Sequence, residues 1–398
     1  PINVAPISNA TASLRSSSIG QCKPRIIRPY GIPDLPTTAP FSLSPKFRLT
    51  VIHRKWLQQK IGPWFNPDWY SSRYGLSGSE AQNPLLHFSR FGISQNNSPS
   101  PMFDATYYLA RYADVAASGV PGFWHFITRG LKEQRSPNPF FDKGFYLDTY
   151  PDVAAHKSGA TAHFFLKGLT ELRAPHVLFD PEYYLEQYQD VAESGANPLL
   201  HYLEFGLSEG RTGTALFDSK FYEEMYPEVL LSGLSPMAHF MKVGLAADYQ
   251  PNALFDPEYY FERYTDVKHS GMKAFEHFLT YGLKENRQPH PLFDAKYYTS
   301  VYPDVKASKT PAYIHFLKYG MSEDRRPHPL FDPDHYRSAW RDFEAMRMSP
   351  FEHFLKIGMY QGRSPNGLFS PNGFERLFGG KLRNDMPIFE QYLRYNLL

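Results

Sequence analysis

Apolar and polar positions recur along this chain with a period of 38 residues. Phenylalanine opens each period, at Phe65, Phe103, Phe141, Phe179, Phe217, Phe255, Phe293, Phe331 and Phe369, and a histidine follows 22 residues after each of the first eight. A fixed period of this length is the mark of stacked supersecondary units, each burying its apolar face on its neighbours. In the unit that opens at Phe179, Asp180 is placed to cap a helix and Pro181 to fill its first position. Phe179 and Tyr184 have the spacing of a hydrophobic staple. Tyr184, Tyr188 and Val191 continue one helical face, with Leu185 and Ala192 beside them, until Gly195 stops the helix. Asn197 and Pro198 start a second helix carrying Leu199, Leu200, Tyr202, Leu203 and Phe205, and Gly206 ends it.

Neither helix is long enough to be stable alone. The pattern therefore predicts an all-α fold: an α-solenoid of 38-residue helix-turn-helix repeats, eight units plus a degenerate C-terminal ninth. At about 8–10 Å per packed helix the array is expected to be a curved rod roughly 80 Å long. The terminal units are degenerate. The first has Asn66, Leu76 and Asn97 where other units carry Asp, an acid and Arg, and the last has Ser370, Gln391 and Asn396 for Asp, His and Gly. Such ends are expected to close an array rather than extend it.

Ahead of the repeats, residues 1–45 are rich in Ser, Pro and Thr without periodicity, and read as an extended, weakly ordered lead. Residues 46–64 form an expected N-terminal capping helix, with Val51, Ile52, Trp56 and Leu57 on one face. A basic amphipathic helix for a membrane surface is the other reading, and its short apolar stripe favours the cap. The repeat domain spans 65–398.

Composition adds mainly exclusions. The net charge of +2 gives no overall pull toward nucleic acid, and no basic stripe runs through the units. No apolar run reaches transmembrane length, which leaves peripheral membrane or envelope association as the open form of membrane contact. The single cysteine, Cys22, precedes the array, so the repeats need neither disulfides nor thiolate metal sites. Aromatic residues make up 16 % of the chain, which suits many small cores or an adhesive surface.

Three polar columns run through the array. The acids are Asp114, Asp152, Asp190, Glu228, Asp266, Asp304 and Asp342. The histidines include His125, His163, His201, His239, His277 and His315, and the arginines are Arg135, Arg173, Arg211, Arg287, Arg325 and Arg363, with Tyr249 breaking the series. Read as lying late in the first helix, the acid opposes the helix dipole and calls for a partner, the Arg or His of its own or an adjacent unit. These columns are expected to fix stacking register. One histidine per unit places neighbours about 10 Å apart, too far to share a zinc that needs its ligands at about 2 Å, so no metal or other cofactor is expected. Ser118, Ser194, Ser232 and Ser270 merely precede helix-stop glycines, and with no GxSxG, HExxH or phosphate loop no enzymatic activity is expected.

The aromatics carry the better functional argument. Most units place two aromatics side by side early in the first helix, at Trp69-Tyr70, Tyr107-Tyr108, Phe145-Tyr146, Tyr183-Tyr184, Phe221-Tyr222, Tyr259-Tyr260 and Tyr297-Tyr298. Adjacent helical residues point about 100° apart, so one of each pair, Tyr107, Phe145, Tyr183, Phe221, Tyr259 or Tyr297, is a candidate for a ring ladder that binds an extended polymer. The alternative is that both rings pack between units.

The unit resembles tandem repeats of bacterial proteins with the pattern FDxxYYLxxYPDVAxxGxxPLxHYLxxGxxEGRxPxPLFD, as seen here in FDPEYYLEQYQDVAESGANPLLHYLEFGLSEGR and FDAKYYTSVYPDVKASKTPAYIHFLKYGMSEDRRPHPLFD. The resemblance covers 65–398. Such repeats occur beside glycosyltransferase domains of surface-polysaccharide synthesis and in large secreted or surface proteins. The resemblance implies a non-enzymatic scaffold that binds protein or polysaccharide at the cell envelope or in secreted form, with a cytoplasmic location as the alternative. A glycosyltransferase accessory module and a filament-forming subunit are the competing functions.

Overall fold

A computed structural model describes residues 59–156, 158–308 and 310–397. The expected lead over 1–45 and most of the expected capping helix lie outside the described residues. The described part is an α-solenoid, with helices recurring every 38 residues and no strand among the described residues. At its start Gly62–Trp64 makes one 3₁₀ turn that buries Ile61 and Trp64, the Trp64 ring lying 4.8 Å from Phe126 and 4.4 Å from Phe165.

Each unit differs from the expected pair of helices in two ways. In the type unit the first helix is Pro181–Gln187, capped by the Asp180 carboxylate, which accepts from the Glu182 and Tyr183 amides. It does not run on to Gly195. Tyr188 takes an extended backbone (φ −125°, ψ 86°), and a separate helix, Gln189–Ser194, follows. The break recurs at Tyr112, Tyr150, Tyr226, Tyr264, Tyr302 and Trp340. Where proline comes next, as in Tyr150-Pro151 and Tyr302-Pro303, it disfavours the helical conformation of the preceding residue. In every tyrosine case the hydroxyl accepts an amide 24 residues on, as Tyr188 does from Thr212 at 2.8 Å.

The last helix, Pro198–His201, widens into a π turn, Tyr202–Gly206, and the same widening occurs in eight units. The glycine that ends it is sterically fixed: a Cβ on Gly206 would collide with the hydroxyl of Tyr184, the buried ring of the first helix. Phe179 packs on both Tyr184 (5.7 Å between centroids) and Tyr202 (5.1 Å), joining the two layers of the unit.

Units pack in a coil that closes on itself instead of curving gently with an open concave face. Each unit is closed by a backbone bond from its opening to its final turn, such as Asp142 N–H to Pro175 O at 3.0 Å, and neighbours are tied by side chains such as Asn138, which donates to Met102 O at 2.8 Å. Units two apart meet through Phe140 and Tyr202 (5.5 Å) and through Tyr313, whose hydroxyl donates to Asn252 at 3.0 Å. Units three apart meet through ion pairs. Lys318 reaches Asp180, Lys356 reaches Asp218, and Arg394 reaches Asp256, each across 138 residues. The chain ends in helices Pro371–Phe378 and Ile388–Leu397, where Gln391 takes the histidine position and donates to the Arg383 and Met386 carbonyls.

A candidate interaction surface

The break at Tyr188 and its equivalents moves the acid column. Asp190 lies in the first turn of the second helix, where the dipole favours a carboxylate, and not late in the first helix. Its partner is the arginine of the same unit. Arg211 donates twice to Asp190, at 3.0 and 2.8 Å, and once to Glu209 at 2.6 Å, while its guanidinium lies 4.7 Å over the Tyr188 ring. The same assembly joins Arg135 to Asp114, Arg173 to Asp152 and Arg287 to Asp266 by two donations each, and Arg325 to Asp304 by one. The hydrogen bonds from Arg135 hold the Asp114 carboxyl down at about 2. In the fifth unit, where Tyr249 replaces the arginine, it stacks flat on Tyr226 at 3.9 Å, and the neighbouring Glu228 raises the pKa of its hydroxyl.

The histidines pair elsewhere. His201 Nδ1 is hydrogen-bonded at 3.0 Å to the hydroxyl of Tyr184, and the bond recurs for His125, His163, His239, His277 and His315 with Tyr108, Tyr146, Tyr222, Tyr260 and Tyr298. Burial lowers the pKa of each of these histidines and raises that of each tyrosine, so both are neutral near pH 7. Which of the two donates is set by the histidine tautomer. Toward the two ends of the array the histidine also has an acid within reach, His353 at 3.7 Å from Asp342 and His87 at 3.9 Å from Glu80. Among the described residues no cluster of three metal-ligating side chains occurs.

The candidate binding aromatics lie at unit junctions. Tyr107, Phe145, Tyr183, Phe221 and Tyr297 are half-buried, and Tyr259 is buried with its hydroxyl 3.5 Å from Gln288 Oε1. Burial, followed by neighbouring charges that include Asp142 of the next unit, pushes Tyr107 up to about 12. None of these is among the well-exposed rings.

Besides Trp340, Tyr360 and Phe378 near the C-terminal end, the exposed rings sit four residues beyond the histidine, in the π turn. Phe91, Phe205, Tyr281 and Tyr319 are 37–51 % exposed. Each rests on the histidine of its own unit, with centroids 5.1–5.5 Å apart for His87–Phe91, His201–Phe205, His277–Tyr281 and His315–Tyr319. The histidine bonded to a buried tyrosine is therefore a rigid seat for an outward ring. Arg129, Lys167, Val243 and Ile357 hold the equivalent positions in the other units. Because units three apart touch, Phe91, Phe205 and Tyr319 belong to successive turns of the coil.

A second column faces inward. Ser100, Asn138, Thr214, Asn252, His290, His328 and Asn366 are buried, and each side chain accepts the amide two residues on. Asn138 and Asn252 also donate to carbonyls of the preceding unit, at Met102 and Leu216. The place where units meet is thus filled, and outward residues carry the accessible chemistry.

No known protein family, curated protein or solved structure matches this chain.

Proposed function

We propose that this protein is a non-enzymatic scaffold that binds polysaccharide at the bacterial cell envelope, using the outward faces of its π turns. The observation that carries the reading is the column of exposed rings seated on half-buried, hydrogen-bonded histidines, with Phe91, Phe205 and Tyr319 on successive turns. A sugar ring offers an apolar face to such a platform, and a polymer engages several platforms at once, which multiplies weak contacts through effective concentration. Rings already fixed by their histidines lose little entropy on binding. The resemblance to repeats found beside glycosyltransferases of surface-polysaccharide synthesis points to the same class of ligand.

The test is affinity electrophoresis of the full chain through gels containing surface polysaccharide of the source cells. Retardation of the native protein, and its loss in the triple variant Phe91→Ala/Phe205→Ala/Tyr319→Ala, is the expected result. Equal retardation of native and triple variant overturns the assignment of the site. No retardation at all, with envelope proteins or a glycosyltransferase co-purifying instead, overturns the choice of ligand.

A further inference from the structure

The ion pairs between turns form a ladder with a defined register. Its donors, Lys318, Lys356 and Arg394, occupy the same position of successive units, and so do its acceptors, Asp180, Asp218 and Asp256. Each acceptor uses one carboxylate oxygen to cap its own helix and gives the other to the cation three units later. The next acceptor is Asp294. Its Oδ1 caps its helix through Lys296 and Tyr297, and no cation meets its Oδ2 among the described residues. At the other end, Arg90 holds the donor position of the first unit, is exposed, and has no acid partner among the described residues.

The apolar packing tells the same story. The residue before the opening phenylalanine is a core position through most of the array: Phe140, Leu178, Leu216, Leu254 and Leu292 are 0–3 % exposed. Leu368, the same position in the eighth unit, is 96 % exposed. Leu166, in the donor position of the third unit, is exposed at 68 %. One end of the described array thus offers an acid in the ladder's acceptor position and a bare core leucine, and the other an arginine and a leucine in its donor position.

We infer that the Asp294–Leu368 end takes the Arg90–Leu166 end of a second copy of this chain, so that the coil continues in register from one molecule to the next, with Arg90 of one copy donating to Asp294 of the other. Such a contact is heterologous, and each copy retains one free end of each kind, so growth is linear. This departs from the expectation that the degenerate terminal units stop the stacking. It does not depend on the glycan reading, since neither Arg90 nor Asp294 belongs to the exposed ring column.

Sedimentation velocity of the full native chain across a hundredfold range of concentration tests it. The inference expects an average mass that climbs with concentration beyond a dimer. Arg90→Glu or Asp294→Lys alone should hold the protein at monomer mass, because each joint then sets like charges against each other. Mixing the two variants should restore growth, since the joints between them carry either the native pair or the same pair with its charges exchanged. Leu368→Asp should also abolish growth. A native chain that stays monomeric throughout overturns the inference, and so does growth of either charge-reversed variant by itself. Circular dichroism identical to native shows that each variant is folded, and growth restored in the mixture shows that the lost Asp294 cap is not what stops it.

Discussion

Tyr202 and Gly213 form a compensated pair whose energetics follow from the repeat itself. Seven units have phenylalanine at the position of Tyr202 and proline at that of Gly213; the unit opening at Phe179 departs at both. The Tyr202 hydroxyl is buried and has no hydrogen-bond partner. Burial holds it protonated and well above its ordinary pKa. A Cβ on Gly213 would lie 2.9 Å from Phe179 Cδ2 and 3.0 Å from the Tyr202 Cζ, so the two rings as they are placed in this unit leave no room for the proline found in the others. The Gly213 carbonyl accepts the Asp180 amide as Pro175 accepts that of Asp142, so the glycine backbone makes the same bond as the proline.

Tyr202→Phe removes an unsatisfied buried hydroxyl, which stabilises by about 1–2 kcal/mol. Gly213→Pro alone overpacks the site and destabilises by about 1–3 kcal/mol. Added to Tyr202→Phe, the proline stabilises by a further 0.4–1 kcal/mol or so, because the unit then carries the Phe/Pro pair of the other seven, its rings settle as theirs do, and proline restricts the unfolded chain. The coupling between the two positions is therefore roughly 1.5–4 kcal/mol. Urea midpoints with unchanged slopes measure all four corners of the cycle. Additivity within about 0.5 kcal/mol would refute the reasoning, as would a Tyr202→Phe variant less stable than the native chain.

Other expectations follow from named contacts. Leu172 sits at φ 51°, at a position where the neighbouring units carry Gln134 and Gly210, so Leu172→Asn should raise stability by about 1 kcal/mol in urea unfolding. His201→Ala leaves the buried Tyr184 hydroxyl unpaired and should cost about 1–3 kcal/mol, and by unseating Phe205 it should weaken polysaccharide retardation without abolishing it; unchanged retardation would contradict the seat role. Burial lowers His328 to about 4 and His290 to about 3 from an ordinary 6.5. The unfolded chain then binds more protons between these values. Stability is full above pH 6.5 or so and falls as the pH drops toward 3, by on the order of 3 kcal/mol for His328. His328→Asn, the residue other units carry there, should flatten that fall in a pH series of urea midpoints.

The periodic signal made the solenoid legible, since one capped helix start, one helix-ending glycine and one histidine per unit leave few other architectures. It misled within the unit. Tyr188 falls on the apolar face shared by Tyr184 and Val191, and periodicity does not register a break made by a hydroxyl bond to Thr212, 24 residues away. That break placed Asp190 at a helix start and paired it with Arg211. The exposed column escaped notice because Phe91 and Phe205 look like further core residues at helical spacing, and the π turn that swings them outward leaves no mark in the hydrophobic pattern. In the sequence the adjacent pairs at Tyr107 or Tyr183 are the stronger aromatic signal. Contacts across 138 residues lie beyond any local pattern, although a cation recurs at Lys318, Lys356 and Arg394 in step with the period.

Both functional inferences rest on a coil whose turns touch, which puts the working surface on the outside. Zero-length carbodiimide coupling of the dilute native protein, followed by mass spectrometry of the peptides, tests that contact directly. Lys318 and Lys356 stand 2.9 Å from Asp180 and Asp218, and Lys284 stands 2.8 Å from Asp148. The account predicts intramolecular links for all three pairs, joining units three apart. Links confined to the same or adjacent units would contradict it and return the array to an open, gently curved rod.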